Sequence, residues 1–274
     1  MRLSLLIITV AFSLLSCSIQ KVKRSSRSLI TKVPDTKCSI PFHEEDGHMF
    51  VDVNLQDSNY VFLFDTGWDI TSFSENIALK SFRTKFKTIL SGSTVETQLI
   101  DFGEVEEVCL DSLKFQNVLV SQLNLDFINN NKNTKVTGVF GANLMSTNYW
   151  EIDYNEKFIH VSKTIGPLNT FVEIPFLSKG FGRRKINITI NGKDVQFVFD
   201  TGYNGSILLN EKTFNNILLA EKRLSFEMAG IDYGALPYKV ETGVANLIGY
   251  EFLKKYKIVF NFEKDLLYLK PISK

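Results

Sequence analysis

Hydrophobic and polar residues alternate in short runs along most of the chain, and turn residues separate the runs. Residues 51–55 (VDVNL) alternate apolar and polar side chains, and residues 61–64 (VFLF) form a continuously apolar run. Alternation with a period of two is typical of a half-buried β-strand, and a short apolar run is consistent with a strand buried on both faces. The 23 Phe and 9 Tyr residues also favour strands over long helices. The pattern therefore predicts a mainly β protein.

The predicted strand pair occurs twice in the chain. Residues 51–67 read VDVNL, a polar turn and VFLFDTG, and residues 186–202 read INITI, a turn and QFVFDTG, with no gap between the copies. We place the turns at Asp57-Ser58 and at Asn191-Gly192, because tight turns favour these residue types. Each copy predicts a hairpin that ends at Asp-Thr-Gly.

A second pattern also recurs, closer to the end of each half. Residues 138–145 (GVFGANLM) match residues 246–253 (NLIGYEFL), and residues 150–161 match residues 258–269. Each copy predicts an apolar strand before a glycine, then a short helix and a closing hairpin. A repeat of this kind indicates two structurally related halves, of which the first has the longer middle segment.

The start of the chain has the features of an export signal. A basic residue precedes the apolar run 3–15, which is too short to span a bilayer. The residues that follow, Leu14-Leu15-Ser16-Cys17, resemble a bacterial lipobox, in which the chain is cut before the cysteine and Cys17 is lipidated. The alternatives are an ordinary cleaved signal and an uncleaved anchor. We expect a signal peptide at 1–17 and a protein held in the bacterial cell envelope, outside the cytoplasm, by the lipid on Cys17.

Residues 18–37 are poor in apolar side chains and rich in Lys, Arg and Ser, which predicts a flexible basic tether. Next to a lipidated residue, these charges would weakly attract anionic head groups. The whole chain carries a net charge of only +1, from 31 basic and 30 acidic residues, so no global field favours nucleic acid. We therefore expect a membrane partner through the lipid and no nucleic-acid partner.

Two small groups of residues bear on redox and metal chemistry. Export would place Cys38 and Cys109 in an oxidising space, where they either form a disulfide or remain two buried free thiols. His43 and His48 flank the acidic residues 44–46, but their spacing fits no zinc motif, and an exposed acidic turn explains the segment better. We expect no metal and no cofactor.

Two Asp-Thr-Gly triplets, each after an apolar strand and each followed by an apolar pair and glycine, resemble the aspartic protease family of pepsin-like and retropepsin-like hydrolases. The resemblance covers nearly all of the chain beyond the tether. It implies an all-β acid-protease fold, with two barrel-like lobes related by a pseudo-twofold axis and a cleft between them. The lobes would span 38–168, with a flap within residues 91–103, and 169–274. Because both triplets lie in one chain, we expect a monomer that is an intramolecular pseudo-dimer, with a homodimer as the alternative.

The resemblance implies that Asp65 and Asp200 are the catalytic pair of an aspartic endopeptidase. Two carboxylates held about 3 Å apart cannot both ionise, so they share one proton. In the family the pair holds a water molecule, which attacks the peptide carbonyl while one carboxyl acts as base and the other as acid. The substrate would be an extended polypeptide.

The other residues of the triplets carry structural roles by the same resemblance. The hydroxyls of Thr66 and Thr201 cross the lobe interface and bind the opposite turn. Gly67 and Gly202 let the backbone approach the carboxylates closely and donate N–H groups to them.

Trp68 and Tyr203 follow the two triplets, where the family usually has Ser, Thr or Ala. An indole cannot replace the hydroxyl that binds the carboxylate there in pepsin-like members. These rings either pack as core, line a substrate pocket or block the cleft. The alternative functions are therefore an inactive peptide-binding lipoprotein that keeps the fold, or a purely structural lipoprotein of the cell envelope.

Overall fold

The computed structural model of the protein describes residues 30–32, 37–78, 82–90, 98–129, 133–177, 183–218 and 224–272. The predicted signal peptide with Cys17 and most of the predicted tether lie outside the described residues, so both stay predictions. Ile30–Lys32 is an exception, because it forms a strand that pairs antiparallel with residues 114–116. The tether is therefore not flexible throughout. No helix among the described residues is long and apolar enough to cross a membrane.

The first half of the chain forms a closed barrel. Its described elements are β1 (Ile30–Lys32), β2 (Cys38–Pro41), β3 (His43–Glu45), β4 (His48–Leu55), β5 (Ser58–Phe64), β6 (Ser72–Ser74), β7 (Arg83–Leu90), β8 (Gln98–Leu110), β9 (Leu113–Leu123), α1 (Asp126–Asn129), β10 (Gly138–Phe140), β11 (Tyr149–Asp153) and β12 (Phe158–Ser162). One sheet runs in the order β1-β9-β6-β10-β5-β4-β8-β7, and β3 pairs with β4. An additional pairing of β8 with β9 closes the sheet into a barrel.

The second half repeats the order of hairpins and supporting strand with a shorter middle, and among its described residues no pairing closes the sheet into a barrel. Its described elements are β13 (Val172–Pro175), β14 (Lys185–Ile190), β15 (Lys193–Phe199), β16 (Ile207–Asn210), α2 (Glu211–Leu218), β17 (Phe226–Met228), β18 (Ile231–Gly234), β19 (Tyr238–Glu241), β20 (Leu247–Ile248), α3 (Tyr250–Leu253), β21 (Tyr256–Asn261) and β22 (Leu266–Pro271). A seven-stranded sheet runs in the order β18-β17-β14-β15-β20-β16-β19. The all-β fold with two related lobes is as predicted.

A third sheet joins the two halves. It has six strands in the order β13-β22-β21-β11-β12-β2, so three strands come from each half. The closing hairpins meet at β11 and β21, where Trp150 lies opposite Phe260. The Trp150 side chain is fully buried, and its ring stacks on the Phe260 ring with centroids 6.3 Å apart. The sequence predicts both hairpins, but not that they pair with each other.

The two predicted hairpin turns are present, and one lies a residue earlier than expected. Gln56 and Asp57 have φ angles of 52° and 63°, and Asn191 and Gly192 have φ angles of 48° and 75°. Two consecutive positive φ angles match the twist of the flanking strands, which is why such turns close two-residue hairpins. The prediction of Asp57-Ser58 was therefore wrong by one residue.

The short helix predicted after each apolar strand forms only in the second half, as α3. In the first half residues 142–145 form successive turns, in which the Leu144 N–H donates to the Gly141 carbonyl at 3.1 Å. The matching sequences thus differ in local structure.

β7 and β8 form a long hairpin, which contains part of the segment predicted as the flap. Phe86 lies opposite Phe102 in this hairpin, and their rings stack with centroids 5.0 Å apart. Residues 98–103 of the predicted flap lie in β8, whereas residues 91–97 lie outside the described residues.

Both described cysteines are free thiols. Cys38 is buried, with its Sγ 3.1 Å from the Ser112 hydroxyl. Cys109 is half-buried and donates to a Glu107 carboxylate oxygen at 3.3 Å. The disulfide alternative is therefore wrong, and the buried-thiol alternative is confirmed for Cys38.

Candidate active site

Each Asp-Thr-Gly triplet lies at the end of a buried strand that a second, parallel strand supports. β10 runs parallel to β5, and the Asp65 N–H donates to the Phe140 carbonyl at 3.1 Å. In the second half β20 runs parallel to β15, and the Asp200 N–H donates to the Ile248 carbonyl at 3.1 Å. These backbone hydrogen bonds fix each Asp-Thr-Gly turn against the supporting strand of its own half, and the two turns meet each other.

The two threonines lock the turns together. The Thr66 hydroxyl donates to the Phe199 carbonyl at 2.8 Å, and the Thr201 hydroxyl donates to the Phe64 carbonyl at 3.0 Å. The Thr66 hydroxyl also accepts the main-chain N–H of Thr201 at 3.0 Å, and the Thr201 hydroxyl accepts the main-chain N–H of Thr66 at 3.1 Å. Both side chains are buried. The geometry agrees with the role that the resemblance implies for these residues.

Thr66→Val is expected to lower the free energy of unfolding by about 2 kcal/mol. The change leaves the Thr201 N–H and the Phe199 carbonyl without partners in a buried place, at about 1 kcal/mol or more for each. Urea denaturation measures the loss. Thr66→Ser keeps the hydroxyl and is the control, so equal losses in both variants would contradict the role of the hydroxyl.

The glycines bring each carboxyl against the opposite turn. A Cβ built on Gly67 would fall on the Asp200 carboxyl group, and one built on Gly202 would fall on the Asp65 carboxyl group. The Gly67 N–H donates to Asp65 Oδ1 at 2.7 Å, and the Gly202 N–H donates to Asp200 Oδ1 at 2.9 Å. Only glycine allows the two acids to approach this closely.

The two aspartates form a coupled acid pair. Asp65 is 8% exposed, Asp200 is half-buried, and their carboxyl groups lie within hydrogen-bonding reach of each other. Burial raises the pKa of Asp65 well above its ordinary value, and the neighbouring Asp200 carboxylate adds to the rise. Burial also raises the pKa of Asp200, while hydrogen bonds from Asp65 and from backbone N–H groups oppose that rise. Because the groups titrate together, the shared proton belongs to the pair.

The raised pKa of Asp65 predicts a pH-dependent stability. A carboxyl whose folded pKa is raised stabilises the fold fully below its unfolded pKa of about 3.9, and that contribution is lost as the pH rises through the folded pKa. Asp65→Asn removes this titration. We therefore expect the variant to gain stability relative to the wild-type protein as the pH rises from about 4.

Urea denaturation of both proteins at several pH values above about 4 measures this difference. Asp52→Asn, at an exposed strand position, controls for the lost charge. A difference between wild type and Asp65→Asn that does not vary with pH would contradict the raised pKa.

Trp68 packs inside the first lobe. Its indole N–H donates to the Ser72 hydroxyl at 2.7 Å, and its ring stacks on Phe127 with centroids 6.5 Å apart. The half-buried ring joins a core cluster that includes Ile100 and Phe102 of β8. Of the three alternatives for this residue, the structure favours packing, at a place next to β8.

Tyr203 differs from Trp68 in its relation to the dyad. Its main-chain N–H donates to Asp200 Oδ1 at 3.0 Å, the same oxygen that accepts the Gly202 N–H. The ring lies against Gly205 and Gly249, because a Cβ built on either would collide with it. The Tyr203 hydroxyl is buried although the residue as a whole is half-buried.

An ion pair near the dyad has no counterpart in the sequence prediction. The main-chain N–H of Arg183 donates to Asp69 Oδ1 at 2.6 Å. The side-chain Nε of Arg183 lies 3.6 Å from Asp69 Oδ2. The charge of Arg183 lowers the pKa of both Asp65 and Asp200. More than a hundred residues separate the partners, so no local pattern could have found them.

The acidic segment near the start of the barrel is structured. The predicted exposed turn is present only at Asp46-Gly47, where Asp46 is exposed, and residues 43–45 form β3, which pairs with β4. Tyr250 donates its hydroxyl to Glu44 at 2.5 Å, and the Asn133 N–H donates to Glu45 at 2.8 Å. Within the described ranges, no group of three or more His, Cys, Asp and Glu side chains is placed to hold a metal ion.

Comparisons with protein-family models and with curated protein sequences give no match. Solved structures do match. An aspartic proteinase from Irpex lacteus aligns over 87% of this chain and 98% of its own, with 13% identity and a TM-score of 0.59. Basic 7S globulin from soybean aligns over 88% of this chain and 96% of its own, with 12% identity and a TM-score of 0.58. The chain therefore has the pepsin-like fold, which a proteinase and a globulin share.

Proposed function

We propose that the protein is an aspartic endopeptidase whose catalytic pair is Asp65 and Asp200. The observation that carries the proposal is the meeting of the two carboxyl groups, each of which lies against the glycine of the opposite triplet, in turns that Thr66 and Thr201 join. Burying two acids in contact costs free energy, so a purely structural role does not explain why both are there. Strongly perturbed acids of this kind are typical of active sites.

The pair suits the hydrolysis of a peptide bond. The ionised carboxylate takes a proton from a bound water, and the water oxygen attacks the peptide carbonyl carbon. The protonated carboxyl donates its proton to the carbonyl oxygen. The carboxyl that took the water proton then gives a proton to the nitrogen of the scissile bond, and the C–N bond breaks. A hydroxyl of the tetrahedral intermediate returns its proton to the other carboxylate, and a carboxylic acid and an amine leave. Because the pair passes protons in both directions, it needs one proton between two carboxyl groups.

The substrate of this reaction would be an extended polypeptide. An extended chain in the cleft can pair through its main-chain groups with neighbouring strands, and pockets then select alternate side chains. In this proposal the hairpin of β7 and β8 would cover such a chain. We also propose that the enzyme works in the cell envelope, anchored by a lipid on Cys17.

A second candidate is a peptide-binding lipoprotein without catalysis. Trp68 and Tyr203 stand where Ser, Thr or Ala is expected, and the same fold occurs in a protein named as a globulin. This candidate keeps the cleft but assigns no chemistry to the two aspartates.

The test is to incubate the purified protein with a diverse peptide mixture from about pH 4 to 8 and to identify products by mass spectrometry. We expect cleavage that a peptide with a hydroxyl-bearing tetrahedral carbon in place of the scissile carbonyl inhibits, because it mimics the transition state. If the folded protein binds peptides but cleaves none, the second candidate is supported and the enzyme proposal fails.

A further inference from the structure

The turn after the first triplet has its buried polar side chains paired. The Trp68 indole N–H donates to the Ser72 hydroxyl, which in turn donates to the Ile70 carbonyl at 2.9 Å. The Thr71 hydroxyl donates to Asn143 Oδ1 at 2.9 Å and accepts the Gly141 N–H at 3.1 Å. These bonds fix the Trp68 ring and the turn that carries it.

The matching turn of the second half lacks these partners. In the repeat Tyr203 matches Trp68 and Ser206 matches Thr71, but Ile207 replaces Ser72 and Glu251 replaces Asn143. The hydroxyls of Tyr203 and Ser206 are buried, and neither has a hydrogen-bond partner within the part of the chain that the structure describes. The two halves therefore share a backbone but differ in whether their buried polar groups are satisfied.

The buried position of the Tyr203 hydroxyl lowers the stability of the fold. A buried hydroxyl without a partner has lost its hydrogen bonds to water and gained none in the protein, so it destabilises the fold. The hydroxyl is closed to solvent, because it lies directly over Gly205, where a Cβ would collide with it. The residue as a whole is half-buried, so part of Tyr203 is in contact with solvent although its hydroxyl is not. Rotation of the side chain away from the two glycines would give the hydroxyl access to partners.

The ring is also close to the dyad. The main-chain N–H of Tyr203 binds Asp200 at 3.0 Å, so the side chain starts at the edge of the acid pair. Burial raises the pKa of the Tyr203 phenol, and the charges of Glu241 and Asp200 add to the rise. The phenol is thus within electrostatic reach of a dyad carboxylate, where a bound peptide would pass.

We propose that Tyr203 is a substrate-binding residue that leaves its resting place over Gly205 and Gly249 when a peptide enters, and that its hydroxyl then hydrogen-bonds the main chain of the peptide. This inference rests on the proposed function, because it needs a peptide in the cleft. The hydroxyl gives up no hydrogen bond with the described residues when it moves. Its new hydrogen bond to the peptide therefore strengthens binding, because no hydrogen bond within the described part of the free protein is broken to form it.

Tyr203→Phe tests this inference, because it removes the hydroxyl and keeps the ring. We expect the variant to unfold at the same temperature as the wild-type protein or a few degrees higher, since an unsatisfied buried group is gone. At the same time KM for peptide substrates should rise about tenfold, which is the change in affinity expected when one hydrogen bond is lost. A purely structural hydroxyl would lower the unfolding temperature and leave KM unchanged.

Tyr154→Phe is the matched control. The Tyr154 hydroxyl is also buried without a partner in the described part of the chain, but its ring packs between Phe42 and Tyr250. The same chemical change there should raise stability to a similar extent and leave KM unchanged.

The outcomes separate this inference from the proposed function. If the wild-type protein cleaves peptides and Tyr203→Phe has an unchanged KM, the inference is overturned and the proposed function stands. If Tyr203→Phe is less stable than wild type, the hydroxyl has a partner in the free protein and the inference fails whatever the activity. If the wild-type protein neither cleaves nor binds peptides, both fail.

Discussion

Asp200→Asn is expected to lower kcat/KM for peptide cleavage by about 10³-fold, within the range of about 10²–10⁴ that general acid–base catalysis contributes. Asparagine has nearly the shape of aspartate, and its Oδ1 can still accept the N–H groups of Gly202 and Tyr203 that bind Asp200. It cannot take or return a proton. The variant should therefore keep its fold and lose the chemistry.

Asp65→Asn should have an effect of similar size, and the double variant should lose little more than either single one, because the two acids act as a unit. Asp52→Asn removes an exposed carboxylate and should leave kcat/KM unchanged. Rates are measured on a peptide from the cleaved set, and circular dichroism confirms the fold. If either dyad variant keeps the wild-type rate, another group performs the hydrolysis.

Trp150→Ala is expected to lower the free energy of unfolding by about 3–5 kcal/mol, the usual loss when a large buried aromatic ring is removed. The ring lies where the two halves meet in the central sheet, against Phe260 at 6.3 Å and beside Phe64 and Phe140 at 5.9 and 6.0 Å. Phe64 directly precedes Asp65, and Phe140 supports it. The cavity would therefore weaken the joint between the halves and the base of the first catalytic turn.

A fall of roughly 10 °C in Tm by scanning calorimetry corresponds to this loss for a domain of this size. Trp150→Phe keeps part of the ring and should lose less. Leu177→Ala provides the control, because that side chain is 44% exposed and its removal leaves no cavity. Equal effects at Leu177 and Trp150 would contradict the role of the central sheet in holding the halves together.

The hairpins and the candidate site could be predicted because their signals are local. Alternation, turn residues and an apolar strand before Asp65 and Asp200 lie within a few residues of each other. The gap-free repeat places the second copy in the same register as the first. Two acids at equivalent ends of equivalent strands then imply a shared site once the halves face each other.

Other features depend on residues that are far apart in the chain. The pairing of Arg183 with Asp69 joins the start of β14 to the first catalytic turn. The strand of Ile30–Lys32 lies in a segment whose basic composition predicts a tether. Its backbone nevertheless pairs with β9, because strand pairing needs only free N–H and C=O groups and little from the side chains.

The sequence by itself determined the β-class of the protein, its two halves, the hairpins that end at Asp65 and Asp200, and the identity of the candidate acids. Only the tertiary structure decided that the closing hairpins of the two halves join in one six-stranded sheet, and that the Tyr203 hydroxyl lies buried over Gly205. The reason is physical: alternating strands can pair with many others through the same backbone groups, so the partner is chosen by the packing of both lobes together.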